Sequence, residues 1–189
     1  MTCSEGPQVP WCLFLDRDGV INRRIVGDYV RSWEDFEFVE GAVEAIAKLS
    51  VIAPKIVVIT NQQGVGKELM TAEDLDIIHG LMTSAIAEAG GRVDAILSCT
   101  HLAASKCDCR KPSPGLAIQW LSQNLEVDPS MSVMAGDSDS DIVMARNLAS
   151  AVGGCEAVAI GKDIGVDADF SYDSLEMMAS DLAWASGRV

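Results

Sequence analysis

Phe14-Leu15-Asp16-Arg17-Asp18-Gly19-Val20 ends an apolar run with two carboxylates that flank a single residue. The run from Trp11 to Leu15 has Pro10 before it and Asp-Gly close behind. It predicts a short strand buried on both faces, as in a parallel sheet. In extended backbone, side chains two apart point the same way, so Asp16 and Asp18 converge while Arg17 turns aside. Two hard oxygen donors at a strand end make a magnesium seat. A carboxylate is also a competent nucleophile in phosphoryl transfer. The same residues equally suit an Asx-rich turn, and the motif alone leaves both readings open.

The pattern recurs along the chain. Lys55-Ile56-Val57-Val58-Ile59 runs into Thr60-Asn61-Gln62-Gln63-Gly64, and Met131 to Ala135 runs into Gly136-Asp137-Ser138-Asp139-Ser140-Asp141. Val93 to Ser98 and Ala157 to Ile160 predict two further strands. Helices are expected between them. One opens at Gly41 with Val43, Ile46 and Leu49 on its apolar stripe. Another starts at a Thr71/Asp74 capping box, carries Leu75, Ile78, Met82, Ile86 and Ala89 on one face, and stops at Gly90-Gly91. His79 lies beside that stripe and reads as a packing or surface histidine. Ser113-Pro114 is expected to supply an N-cap and a first-turn proline for a helix with Trp120, Leu121 and Leu125. One more helix passes through Ile142, Val143 and Arg146, and a closing helix from Leu175 to Trp184 turns Leu175, Met178 and Leu182 inward. Ile21 to Glu40 has no sustained period and reads as an irregular flap.

Strand and helix alternate throughout, which predicts an α/β fold: a doubly wound parallel sheet with right-handed crossovers and helices on both faces. Such sheets bind ligands outside the carboxyl ends of their strands. Asp16, Thr60 and Asp137 each stand at one of those ends, so the fold would bring three separate polar clusters to one edge. A dinucleotide site is not expected, because no GxGxxG follows the first strand.

The 189 residues, 49% hydrophobic and 22% charged, predict a single globular domain spanning residues 1–189. No apolar run approaches the roughly 20 residues needed to span a bilayer. The N-terminus lacks the basic start and apolar core of a secretory signal, so a cytoplasmic protein is expected. A net charge of −14 disfavours nucleic acid and anionic membranes as partners. A small anionic substrate would need local positive charge.

Six cysteines in a chain of this kind are expected to be reduced thiols, and clustering among them points to metal. Cys99-Thr100-His101 and Cys107-Asp108-Cys109 gather three sulfurs and an imidazole, a set that fits tetrahedral Zn2+. Four protein ligands close the coordination sphere and mark a structural site; unligated thiols are the alternative. Cys3 reads as an exposed tail thiol, Cys12 and Cys155 as small core residues. Arg110-Lys111-Pro112 follows at once and supplies the positive charge, a planar bidentate donor beside a point charge.

Together these residues resemble the haloacid dehalogenase (HAD) superfamily of phosphatases: DRDGV as first motif, Thr60 of VITNQ as second, Lys111 as third and GDSDSD as fourth. Within it, FLDRDGVIN, GDYV, FEFVEGA, TNQQG and CDCRKPSPG resemble the D-glycero-D-manno-heptose 1,7-bisphosphate phosphatases, with the histidinol-phosphate phosphatases as a close sister group. The resemblance implies a Rossmann-like HAD core with a zinc-binding loop, and a Mg2+-dependent phosphomonoester hydrolase acting on a sugar bisphosphate at its C7 phosphate; the spacing from Asp16 to Thr60 and from Thr60 to Lys111 leaves little room for a cap domain, so a capless site is expected. Asp16 would be the nucleophile, forming an aspartyl-phosphate, and Asp18 the acid and base. Mg2+ would be held by Asp16, the Asp18 carbonyl and Asp137, with Asp141 behind them. Thr60, Asn61 and Lys111 would hold the reacting phosphate and Arg110 the rest of the substrate. A small-molecule sugar phosphate, a monomeric state and heptose supply for surface polysaccharide are implied too. Lys67-Glu68 departs from the Arg-Gly pair common in the family. A catalytically inactive zinc-stabilised binding module is the reading from another class, and a phosphatase for nucleic acid 3′ ends is disfavoured by the charge.

Overall fold

Strand and helix alternate in the computed structural model, which describes residues 9–162, 164–181 and 183–185. In chain order the elements are β1 (Cys12–Leu15), α1 (Ala42–Ile52), β2 (Lys55–Asn61), α2 (Gln63–Gly66), α3 (Ala72–Glu88), β3 (Ala95–Cys99), α4 (Gly115–Gln123), β4 (Val133–Gly136), α5 (Asp139–Val152), β5 (Glu156–Ile160), β6 (Phe170–Tyr172) and α6 (Leu175–Ser180). The six strands pair in parallel, in the order β3-β2-β1-β4-β5-β6. The connections reverse direction between β1 and β4, which creates the crevice where doubly wound sheets bind ligands.

Every residue of β1 and β4 is buried, because alternate side chains enter two different cores. Leu13, Leu15, Val58 and Ala135 pack with Ile46, Ile78 and Met178 from α1, α3 and α6. Phe14, Val57, Ile59 and Met134 pack with Trp120, Ile142 and Leu148 from α4 and α5 on the other face. Cys12 and Cys155 are buried, as expected of small core residues. Cys3 and Leu182 lie outside the described residues.

Several local expectations are corrected. β2 continues through Thr60 and Asn61, so these side chains belong to the last rungs of the sheet. A sixth strand, β6, is added; its three residues are too few to show a period. Pro114, and not Ser113, holds the N-cap position of α4, with no side-chain cap, and Leu125 lies past its end, 86% exposed. Ala89 is the exposed C-cap of α3. The flap contains one short 3-10 turn, Trp33–Asp35, and is pinned by Trp33, Phe36 and Phe38, whose rings lie 4.8–6.2 Å apart.

The α3 capping box is formed: Asp74 N donates to Thr71 Oγ1 at 3.0 Å and Thr71 N to Asp74 Oδ2 at 2.8 Å. Thr71→Ala should therefore cost about 1 kcal/mol, read from the midpoint of urea unfolding, with the slope unchanged.

Candidate active site

Asp16 follows β1 directly, and its backbone N–H bonds Ala135 O of β4 at 2.9 Å, which fixes it at the crevice. Its Oδ1 meets Lys111 Nζ at 2.6 Å. The same ammonium lies 2.7 Å from Asp141 Oδ1 and donates to Ile59 O at 2.9 Å. Lys111 is placed by β2: its N–H donates to Asn61 Oδ1 at 3.0 Å, and Asn61 Nδ2 returns a bond to its carbonyl at 3.2 Å. Both polar atoms of the Asn61 side chain thus hold the Lys111 backbone. Burial pushes the Asp16 carboxyl up to about 7, with Lys111 pulling the other way. Burial also works against the Lys111 ammonium, but Asp16 and Asp141 outweigh it and hold the amine above its ordinary value.

Asp18 sits in a different environment. Its Oδ1 accepts from Arg17 Nη2 at 2.9 Å and Asn22 Nδ2 at 3.0 Å, and its Oδ2 from Gln62 Nε2 at 2.7 Å and Thr60 Oγ1 at 3.4 Å. Burial would raise this carboxyl, but Arg17, Asn22 and Gln62 more than compensate and hold it below the ordinary range. Gln62 also donates to Thr60 Oγ1 at 2.8 Å, so the two residues from the end of β2 meet Asp18 as a bonded pair. Arg17 does not simply turn aside. It is wholly buried and curls back onto Asp18.

The carboxylates of Asp16, Asp137 and Asp141 gather within 4.8 Å of one another. Gly19 makes this possible: at φ +96°, any Cβ there would fall 1.8 Å from Asp137 Oδ2. Burial pushes the Asp137 carboxyl up to about 6, against the pull of Arg24. Arg24 Nη2 lies 2.7 Å from Asp137 Oδ1 and 3.4 Å from the Asp18 carbonyl. A cation therefore already spans two of the oxygens assigned to Mg2+, and an all-oxygen set of this kind fits a hard divalent ion. Asp141 also accepts from Ser138 N at 3.1 Å and Ser138 Oγ at 2.6 Å, which couples the acidic cluster to the start of α5.

Above these groups opens a cleft of about 520 Å³, a usual size for a small-molecule site. Lys67 and Arg110 line it, together with Arg24 and Tyr29 from the flap. Arg110 Nη1 is buried without a hydrogen-bond partner among the described residues, and Lys67 Nζ stands 5.2 Å over the Tyr29 ring. The local positive charge required by an acidic chain is in place.

Cys99, His101, Cys107 and Cys109 present ligand atoms within 4.8 Å of one another. Cys109 Sγ is 3.2 Å from Cys99 Sγ, 3.2 Å from Cys107 Sγ and 3.0 Å from His101 Nδ1. Three sulfurs and one nitrogen converging at such separations match the donor set of a structural Zn2+. Sequence reasoning missed Asn22, Gln62 and Arg24, whose roles depend on partners distant in sequence. A polar residue just past a strand end was the one signal available for Gln62.

Residues 13–183 match the family model described as polynucleotide kinase 3 phosphatase. A D-glycero-alpha-D-manno-heptose-1,7-bisphosphate 7-phosphatase of Mycobacterium tuberculosis is 48% identical over 178 residues, 94% of each chain. A D-glycero-beta-D-manno-heptose-1,7-bisphosphate 7-phosphatase of Neisseria meningitidis is 35% identical over 148 residues, covering 78% of this chain and 76% of the relative. Among solved structures, the D,D-heptose 1,7-bisphosphate phosphatase of B. bronchiseptica, complexed with magnesium and phosphate, superposes with a TM-score of 0.81 at 29% identity, over 93% of this chain and 99% of the other.

Proposed function

The chain belongs to the polynucleotide kinase 3 phosphatase family, of the haloacid dehalogenase type, and on that premise we propose that it removes the C7 phosphate of D-glycero-α-D-manno-heptose 1,7-bisphosphate. The observation that carries the proposal is the Asp16 carboxylate, held 2.6 Å from the buried Lys111 ammonium on the floor of a cation-lined cleft. The α anomer is favoured by 48% identity to a relative named for it, against 35% for one named for the β anomer.

Asp16 Oδ attacks phosphorus, an aspartyl-phosphate forms, and the C7 oxygen departs with a proton from Asp18. Water then attacks the aspartyl-phosphate, Asp18 takes its proton, and inorganic phosphate leaves. The donors around Asp18 favour its ionised form, which suits the second step. The incoming phosphate, a like charge, raises its proton affinity for the first. Thr60, with Asn61 and Lys111, stands around the reacting phosphoryl oxygens and Lys111 offsets their charge. Arg110, with its uncommitted Nη1, faces the second phosphate. Mg2+ on Asp16, Asp137 and the Asp18 carbonyl would lower the repulsion between two anions. Zn2+ on the cysteine and histidine cluster would brace Arg110 and Lys111. We place the enzyme as a monomer in the cytoplasm, a compartment that keeps thiols reduced for zinc.

Phosphate release from the α and β heptose bisphosphates, histidinol phosphate and a 3′-phosphorylated oligonucleotide tests the proposal. The highest kcat/KM is expected with the α bisphosphate, and the oligonucleotide should be the poorest because the chain carries a net charge of −14. A preference for histidinol phosphate or for the oligonucleotide overturns the substrate assignment.

A further inference from the structure

An arginine side chain carries five N–H donors and no acceptor, and its burial is tolerated where acceptors meet it. Arg17 is wholly buried beside Asp18, and two acceptors meet its guanidinium. Asp18 Oδ1 lies 2.9 Å from Nη2, and His79 Nε2 lies 3.1 Å from Nη1. Nε has no partner among the described residues, so the orientation of the guanidinium rests on these two contacts. Because an arginine nitrogen only donates, the second contact fixes the imidazole tautomer, with Nε2 bare and the proton on Nδ1. His79 comes from α3, 62 residues along the chain, and no residue of that helix lines the cleft.

We propose that His79 and Arg17 are positioning residues for the phosphatase reaction: the His79 ring orients the Arg17 guanidinium, which in turn aims the Asp18 carboxylate at the leaving oxygen and the attacking water. The inference rests on the function proposed above. A packing histidine needs only to fill space, whereas this one turns its bare nitrogen onto a buried cation. The charged groups acting on it are Arg17 and Asp18. Burial and then Arg17 push its imidazolium down to about 4, with Asp18 opposing, so the ring stays an acceptor at neutral pH. Without that acceptor the guanidinium is anchored by Asp18 alone and no longer sets where that carboxylate points, which leaves Asn22 as the one independently held donor to Asp18 Oδ1. A small misplacement of a catalytic group is costly in rate.

Two variants separate positioning from packing, assayed on the phosphomonoester that the wild-type enzyme turns over fastest. His79→Leu fills the space without an acceptor and should lower kcat about 10-fold, with KM within about twofold. His79→Gln restores an acceptor and should recover kcat to within about threefold of wild type. A Leu variant with unchanged kcat, or a Gln variant that falls as far as Leu, overturns the proposal. Nitrogen NMR of the wild-type protein tests the first link without any substitution. Of the two histidines, His101 has its Nδ1 at 3.0 Å from Cys109 Sγ, so the rings are distinguishable. His79 should show a neutral ring at pH 7 with the proton on Nδ1; a proton on Nε2 sinks the relay. If the wild-type enzyme turned over no phosphomonoester, the proposed function would fail instead, and the tautomer would still decide whether His79 orients Arg17.

Discussion

Asp16→Asn should lower phosphate release by about 10⁴-fold or more, the scale seen when a member of a catalytic unit is removed from a hydrolase. The amide matches the carboxylate in shape but has no lone pair basic enough to attack phosphorus. The fold should survive. Lys111 keeps Asp141 at 2.7 Å, so its ammonium is not left unpaired. Burial already disfavours the charged form of Asp16, pushing its carboxyl up to about 7, so a neutral side chain there removes a desolvation cost. The thermal midpoint without added metal should stay level or rise while turnover is lost. A variant that keeps a substantial fraction of wild-type kcat excludes the covalent route, whatever its stability.

Cys109→Ser should reduce bound zinc and lower kcat by about 10²-fold, the cost of moving a charge-stabilising group by about 1 Å. Cys109 Sγ lies within 3.2 Å of each of the three other cluster atoms, so its loss opens the set. Zn2+ held by this cluster would supply on the order of 10 kcal/mol to the segment it closes, which runs directly into Arg110 and Lys111. None of the four ligands lies in β1 or β2. Circular dichroism should therefore show the sheet retained, while metal analysis shows zinc lost. A zinc-free variant with full kcat would mean that Asn61 alone positions Lys111.

Features written in local spacing were legible in the sequence. The apolar runs gave the strands, Thr71 and Asp74 gave the capping box, and Cys99, His101, Cys107 and Cys109 announced their cluster by proximity. Polar residues at three strand ends also foretold which side chains would gather, because a doubly wound sheet brings those ends together. Features written between distant residues were not. Nothing around Arg17 says that an imidazole 62 residues away will receive its Nη1. Nothing around Arg24 says that it will reach Asp137, 113 residues on. Ser113 had the chemistry of an N-cap, yet Gly115 N donates to Asp108 O at 3.1 Å, and the turn that makes this bond leaves Pro114 in the capping position. β6 pairs through three residues and borrows its order from β5.

The grip of Asn61 on Lys111 engages only the main-chain N–H and carbonyl of residue 111. It is blind to the side chain it delivers. The address of the cation is written at the end of β2, while its identity is read by other residues, the carboxylates of Asp16 and Asp141 and the Ile59 carbonyl that receive its ammonium.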